Sequence, residues 1–255
     1  MVATMPIHWV ILLDVIGFIL GAGMLLLVRI PEVASQGEKI SVMRDALEGF
    51  NILRENKPMW KMTLIGALFM LLFMPAMSLY PLVTTKYFGG TIVHAGWVKV
   101  LFAAAMLIGS FAVGIFGKTK DRMPWIIAAY LIVGLSIGGS GFLPGNMNGF
   151  WVFLVLNVFA GIVGQIYTTM NMAITQQSFE AQYLGRVMGI VSALMSIAGP
   201  VGLIFAAPVA ESIGVQNMLV IAGFGGILAA ALLYCTPSVR NYDKHLQRKL
   251  ENEGQ

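Results

Sequence analysis

Seven long apolar runs constrain the fold of this chain more than any other feature. They cover residues 8–29, 62–84, 92–116, 125–143, 150–173, 187–209 and 215–235. Runs of about 20 residues match the length that an α-helix needs to cross a bilayer. A membrane β-barrel needs strands of alternating polarity, and segments such as LIGALFMLLFMPAM do not alternate. The sequence therefore predicts an all-α integral membrane protein with seven transmembrane helices.

The composition leaves little room for other functions. Hydrophobic residues make up 58% of the chain and charged residues 11%, whereas about a quarter of an average soluble domain is charged. The longest segment between runs has no space for a soluble catalytic domain. The sequence contains no nucleophile elbow, phosphate-binding loop or HExxH zinc helix. We therefore predict neither an enzyme nor a cofactor or metal site.

Lysine and arginine lie almost entirely on one side of the predicted spans. Because basic residues near span ends remain in the cytoplasm, this asymmetry predicts an external N-terminus and a cytoplasmic C-terminus in the inner (plasma) membrane. The other side holds only Lys86 and Lys99. The topology also accounts for the net charge of +4, so no nucleic-acid partner is indicated. The basic residues on the cytoplasmic side are Arg29, Lys39, Arg44, Arg54, Lys57, Lys61, Lys118, Lys120, Arg122, Arg186, Arg240, Lys244, Arg248 and Lys249.

The segment between the first two spans predicts an amphipathic surface helix. Its apolar residues recur at helical spacing and its charged residues occupy the opposite face. Membrane lipid is the partner expected for the apolar face. The apolar stripe consists of Ile40, Met43, Leu47 and Phe50, followed by Arg54.

A short charged turn carries a family signature. The stretch GKTKDRMP contains a glycine, three variable residues and an Asp-Arg pair, at Gly117, Asp121 and Arg122. This pattern resembles the signature of the major facilitator superfamily of membrane transporters, in the weaker form typical of its second copy, between the eighth and ninth spans. The resemblance implies that these three residues form a cytoplasmic latch. Asp121 would cap or pair with a neighbouring helix in one of two access states.

Other segments resemble the drug-exporter branch of this family, which includes macrolide-efflux-like permeases and the enterobactin exporter. LLDVIGFIL resembles its sixth span, and RDALEGFNILRENKPMWKM resembles its linker and the start of its seventh span. YLGRVMGIVSALMSIAGPVG resembles its eleventh span. There, Gly199, Pro200 and Gly202 are similar to the antiporter motif of the related fifth span, which implies a bend in the helix.

The resemblance implies that the chain corresponds to the sixth span and the C-terminal six-helix half of such a transporter. On this basis, residues 1–30 form the first span and residues 31–61 the cytoplasmic linker. Residues 62–236 form the six-helix half and residues 237–255 a cytoplasmic tail. Because complete transporters pair two halves around a midplane site, we expect a truncated or split transporter. A missing N-terminal half or a second copy would be its partner.

One face of the predicted fifth span is polar throughout. Asn157, Gln165, Thr168 and Asn171 share this face at about 100° per residue. Such side chains can join helices by hydrogen bonds or can line a central cavity. Both interpretations remain open from the sequence, and the family's tenth span borders the transport cavity.

Asp14 is the carboxylate placed well inside a predicted span. A charged aspartate at the bilayer centre costs about 2.5–3.5 kcal/mol on insertion scales. Asp14 must therefore face protein or water, or bind a proton. This makes it the candidate for proton coupling, although a paired packing role is the alternative.

Secondary active transport is the function that these features predict. The family resemblance implies proton-coupled export of drugs or other lipophilic small molecules. The alternative is a non-transporting membrane subunit, or an inactive fragment with an assembly or regulatory role.

Overall fold

The computed structural model of the chain describes residues 7–27, 42–116, 119 and 121–253. Gly117, the end of the predicted first span and residues 31–41 of the predicted linker lie outside this range. All regular elements of the described part are helical. They are α1 (Ile7–Leu27), α2 (Val42–Glu55), α3 (Lys57–Ser78), α4 (Tyr80–Leu82), α5 (Ile92–Phe116), α6 (Met123–Ser140), α7 (Met147–Ser178), α8 (Ala181–Ile213), α9 (Val215–Cys235), α10 (Pro237–Arg240) and α11 (Tyr242–Glu253).

The chain divides into two units, residues 1–42 and residues 43–255. The first unit contains α1, whose 21 residues cover positions 8–27 of the predicted first span. The second unit contains six helices that are long and apolar enough to cross a membrane, α3 and α5 to α9. The prediction of an all-α membrane protein is therefore confirmed.

The helix α3 ends before the end of its predicted span. Pro75 lies inside α3, and α3 ends at Ser78 rather than continuing to residue 84. The short α4 and a π-helical turn, Val83–Tyr87, follow it. Pro75 and Pro81 each remove one backbone N–H from the helix ladder, so the helix is weakened on both sides of its break at Leu79. Gly89, with a φ of 69°, completes the reversal into α5.

Two helices extend well beyond their apolar runs. α7 has 32 residues and α8 has 33, so both are longer than the bilayer requires. Asn146 begins α7, where its side-chain oxygen accepts a hydrogen bond from the backbone N–H of Gly149 at 2.9 Å. Gly214, with a φ of 92°, ends α8. The polar stretch between the two predicted spans is thus mainly helical.

The core of the second unit contains a glycine interface between α6 and α9. A Cβ atom added to Gly223 would lie 2.2 Å from the Cα of Gly138 and 2.6 Å from the carbonyl oxygen of Gly134. Backbone therefore packs directly on backbone at this crossing. Lipid tails are as apolar as leucine, so close packing of small residues is a main source of helix association in membranes.

From this interface we predict that two glycine-to-alanine changes differ in their effect on stability. Gly223→Ala forces the two backbones apart and should destabilise the folded chain by about 1–3 kcal/mol. Gly139→Ala is the matched control, because a Cβ atom there meets nothing within 4 Å. It should be neutral or stabilising by up to about 1 kcal/mol through helix propensity. Thermal unfolding of the purified variants in detergent measures both, and equal shifts would contradict this account.

Candidate functional site

A cavity of about 190 Å³ lies between α3, α5, α6 and α7. Aromatic rings form much of its wall. The ring centroids of Phe69 and Tyr130 are 5.0 Å apart in an edge-to-face arrangement, and those of Tyr130 and Tyr167 are 4.6 Å apart. Phe73 stacks on Phe69 at 4.9 Å. Such contacts hold the rings in fixed orientations and give the cavity flat apolar surfaces.

Methionine side chains supply another part of the wall. Met70, Met74 and Met77 come from α3, where they are spaced by one helical turn, and Met106 comes from α5. Methionine has an unbranched, polarizable side chain that adapts to irregular shapes. This part of the cavity can therefore adjust to different ligands, whereas the aromatic part is more rigid.

The polar side of the cavity is provided by α7. Gln165 and Thr168 line it together with Gly161 and Gly164. The Thr168 hydroxyl donates to the Gly164 carbonyl oxygen at 2.9 Å, whereas the Gln165 amide nitrogen lies 3.4 Å from the Thr169 hydroxyl. The described lining residues include no charged side chain. The cavity thus suits a lipophilic molecule with few polar groups.

The structure separates the four cavity candidates on α7. Gln165 and Thr168 line the cavity, but Asn157 and Asn171 are not among its lining residues. Asn157 is 1% exposed and donates from its amide to the Phe153 carbonyl oxygen at 3.0 Å. Its Oδ1 atom has no hydrogen-bond partner among the described residues. The position of Asn157 therefore fits packing rather than contact with a ligand.

Two of the three latch candidates, Asp121 and Arg122, lie at the start of α6. Asp121 Oδ1 accepts a hydrogen bond from the backbone N–H of Met123 at 3.2 Å, which satisfies one free donor of the first helical turn. Gly117 lies outside the described residues. Arg122 forms the more extensive set of contacts, and its partner is in the predicted tail.

A buried charge cluster joins this turn to α11. Asp243 is 0% exposed and accepts hydrogen bonds from the Arg122 backbone N–H at 2.6 Å and from its guanidinium group at 2.5–3.1 Å. The same guanidinium donates to Gln177 Oε1 at 2.8 Å, and Gln247 also donates to this oxygen. The cluster holds the adjoining ends of α6, α7 and α11 together.

Sequence reasoning did not identify Asp243. The carboxylate lies among the basic residues of the tail, and an aspartate in such a segment is normally exposed to solvent. The one available signal is that the tail contains an isolated aspartate directly after an aromatic residue, Tyr242. The Tyr242 hydroxyl accepts from the Asn56 amide at 2.7 Å, so α11 also contacts the start of α3.

Two other segments with family resemblance meet in the structure. Arg186, at the start of α8, contacts Glu48 at 2.8 Å and Asp45 at 3.0 Å, both on α2. A Cβ atom on Gly49 would lie 2.7 Å from the Arg186 carbonyl oxygen. The glutamate-glycine pair of the linker therefore packs against the Gly-Arg-Val sequence of α8. Met43 and Leu47 are exposed on α2, as expected for the predicted apolar face.

The helix-bend motif lies within α8 and packs on α3. A Cβ atom on Gly202 would lie 2.3 Å from the Leu71 carbonyl oxygen and 2.9 Å from Pro75 Cγ. Gly199 lies beside the Met74 side chain, and Pro200 lies inside α8. Pro75 has no N–H to donate to the Leu71 carbonyl. The contact therefore joins two proline-containing helix segments, one around Pro75 in α3 and one around Pro200 in α8. This contact places the motif next to the cavity-lining residue Met74.

Asp14 lies in α1, and its side chain is outside the part that the structure describes. Its predicted role in proton coupling therefore stays a prediction. Among the described residues, no group of three or more metal-ligating side chains is found.

The sequence is similar to known efflux proteins. Macrolide efflux protein A of Streptococcus pyogenes is 33% identical over 236 residues, covering 92% of this chain and 58% of that protein. The protein of the same name in Enterococcus faecalis is 35% identical over 196 residues, covering 76% and 60%. Multidrug efflux pump Tap of Mycolicibacterium fortuitum is 28% identical over 177 residues, covering 68% and 41%. No solved structure matches the chain.

The chain thus spans at most about three fifths of the length of these curated relatives. The sequence model of the Major Facilitator Superfamily matches residues 74–253, which include all of α5 to α11. The predicted family and its drug-exporter branch are both supported by these similarities, and the chain is a multi-pass membrane protein of a transporter family rather than an enzyme. On its sequence and its helical architecture, the chain belongs to the major facilitator superfamily.

Proposed function

We propose that this chain forms one bundle of a secondary transporter that exports drugs or other lipophilic small molecules. The cavity between α3, α5, α6 and α7 is the observation that carries the proposal. Aromatic and methionine side chains form most of its wall, and Gln165 and Thr168 add polar groups on one side. Ligand sites in proteins commonly combine an apolar surface with a few placed polar groups. The names of the similar efflux proteins support the same class of substrate.

The size and wall of the cavity fit a shared site. About 190 Å³ is smaller than the roughly 300–1,000 Å³ of a site for a drug-sized ligand. Transporters of this architecture place the substrate between two bundles. A second bundle, from an N-terminal half or a second copy of this chain, would supply the remaining wall. The non-transporting subunit named above is the alternative, and it predicts no ligand in this cavity.

The proposal also includes energy coupling and orientation. Protons are the proposed coupling ion and Asp14 their proposed carrier, because a carboxylate inside a span is stable when protonated or when it faces water. The excess of basic residues near the ends of α2, α6 and α11 supports the proposal that these ends lie in the cytoplasm, with the helices in an inner (plasma) membrane. The exposed Met43 and Leu47 of α2 would then be available to membrane lipid.

Cysteine labelling tests whether the cavity is open to water and substrate. In a Cys235→Ser background, which removes the exposed native thiol, Thr168→Cys should react with a charged methanethiosulfonate reagent. A lipophilic dye should slow this reaction. Phe159→Cys is the matched control, because position 159 is nine residues away and about 180° around α7. It is exposed and is expected to face lipid, so a charged reagent should not reach it.

The two positions must differ for the proposal to stand. Equal labelling at positions 159 and 168, or labelling at position 168 that no lipophilic dye slows, would contradict a substrate cavity at this face. Labelling rates measured by mass shift on the intact protein distinguish these outcomes.

A further inference from the structure

We propose that Gln165 selects, among lipophilic molecules, those that present a hydroxyl group. This inference rests on the proposed function, because it concerns the same cavity. It assigns one side chain the role of a specificity determinant and names the chemical group that it recognises.

The hydrogen bonds of α7 leave Gln165 available to a ligand. Its Nε2 atom makes only a long contact of 3.4 Å with the Thr169 hydroxyl. Its Oε1 atom accepts no hydrogen bond from the described residues. The neighbouring Thr168 donates its hydroxyl proton to the Gly164 carbonyl oxygen at 2.9 Å. Gln165 therefore contributes to this wall an amide oxygen that accepts no hydrogen bond within the described part of the chain.

On the side that faces α6, Gly164 leaves space beside Gln165, because a Cβ atom there would meet only Val133 Cγ2, at 3.9 Å. Gly161 and Gly164 precede it on the same face of α7 and line the cavity with it. Gly161 also lets α5 approach closely, because a Cβ atom there would lie 2.9 Å from the Ala105 Cβ and 3.0 Å from the Phe102 carbonyl oxygen. A ligand can thus reach the amide without displacing a bulky neighbour on this helix.

The surroundings determine which donor is favoured. The described lining residues include no carboxylate, so a permanent cation would leave water without gaining an ion pair, which is unfavourable. A neutral hydroxyl loses less hydration and can donate to Gln165 Oε1. The rest of the molecule can contact the rings of Tyr130 and Tyr167, whose centroids are 4.6 Å apart. The favoured ligand is therefore neutral, lipophilic and hydroxylated.

A matched pair of dyes tests this assignment. One is a naphthalene-based fluorescent dye with a single primary hydroxyl group, and the other is its methyl ether. Both are titrated into the full chain in lipid nanodiscs. For the hydroxylated dye, Gln165→Leu should weaken binding by about 3- to 10-fold, the range expected for one hydrogen bond. For the methyl ether, the same variant should leave binding unchanged or slightly tighter.

Two further variants control for the substitution itself. Gln176→Leu makes the same change at an exposed position of α7 and should affect neither dye. Gln165→Met is a second variant at the site and should reproduce Gln165→Leu if the latter fails to fold, as judged by gel filtration and thermal unfolding.

The outcomes separate this inference from the proposed function. Saturable binding of both dyes to the unchanged chain, with equal losses in Gln165→Leu, would overturn the role of Gln165 and leave the cavity proposal intact. If the unchanged chain binds neither dye, both proposals fail. A loss confined to the hydroxylated dye supports the inference.

Discussion

Replacement of Asp243 by alanine is expected to destabilise the second unit by about 3–5 kcal/mol, the cost of breaking a buried ion pair by removing one partner. The Asp243 side chain is fully buried and that of Arg122 is 7% exposed. Without the carboxylate, the guanidinium would keep its bond to Gln177 Oε1 but would remain a buried, uncompensated charge. The Arg122 backbone N–H would also lose its acceptor. Thermal or denaturant unfolding in detergent measures the change.

A surface ion pair provides the matched control. Asp45 pairs with Arg186 at 3.0 Å, but the two side chains are 31% and 35% exposed. Because solvent screens such pairs, Asp45→Ala should cost no more than about 1 kcal/mol. The double variant Arg122→Met with Asp243→Leu should recover much of the stability lost in Asp243→Ala, since it leaves no unpaired charge. Equal effects of Asp243→Ala and Asp45→Ala would show that the buried cluster is not a major source of stability.

Hydropathy was sufficient to predict the helices but not all of their limits. A span is specified locally, because some 20 consecutive apolar residues identify it wherever its neighbours lie. The breaks depend on chemistry that hydropathy ignores. α3 contains Pro75 and ends at Ser78, just before Pro81, inside a run that was predicted to continue to residue 84. Conversely, the polar residues before Ser178 and after Ala181 continue as helix, so α7 and α8 exceed their predicted spans.

Contacts between distant segments were the part that the sequence could not supply. Arg122 was predicted to be part of a latch, yet its partner Asp243 lies 121 residues away. Neither the polarity of α11 nor its position in the chain distinguishes a buried aspartate from a solvated one. The aromatic wall was missed for a related reason. Phe69, Tyr130 and Tyr167 lie in apolar spans, and the sequence does not distinguish a ring that faces the cavity from one that faces lipid.

The four candidates on α7 do not all line the cavity, and the reason is geometric. A helical wheel gives the direction of a side chain around the helix axis but not what the neighbouring helices place opposite it. Asn157 and Gln165 are eight residues apart, which is about 12 Å along the axis. On α7 the cavity is lined by residues from Ala160 to Thr168, whereas Asn157 lies just before this segment and is enclosed by protein.

Transport by this chain is expected to require a second bundle. Alternating access moves two bundles about a shared site, and we propose that the six membrane-capable helices of the second unit form one such bundle. Proteoliposomes that contain only this chain should therefore bind a lipophilic dye but show no gradient-driven efflux. Saturable efflux by a demonstrated monomer of this chain would overturn this expectation.

Efflux should appear when a second bundle is supplied. We propose to test, as the bundle added in trans, the part of macrolide efflux protein A of Streptococcus pyogenes that this chain does not match, because the two proteins are 33% identical over 236 residues. With both bundles present, an imposed pH gradient should drive dye efflux.

Asp14→Asn should abolish most of the dependence of efflux on that gradient, since an amide cannot carry a proton, while membrane insertion remains normal. Glu211→Gln, at an exposed carboxylate near the end of α8, is the control and should retain the dependence. Efflux by Asp14→Asn that still follows the pH gradient would exclude Asp14 from coupling. That result would leave the prediction of a second bundle unaffected.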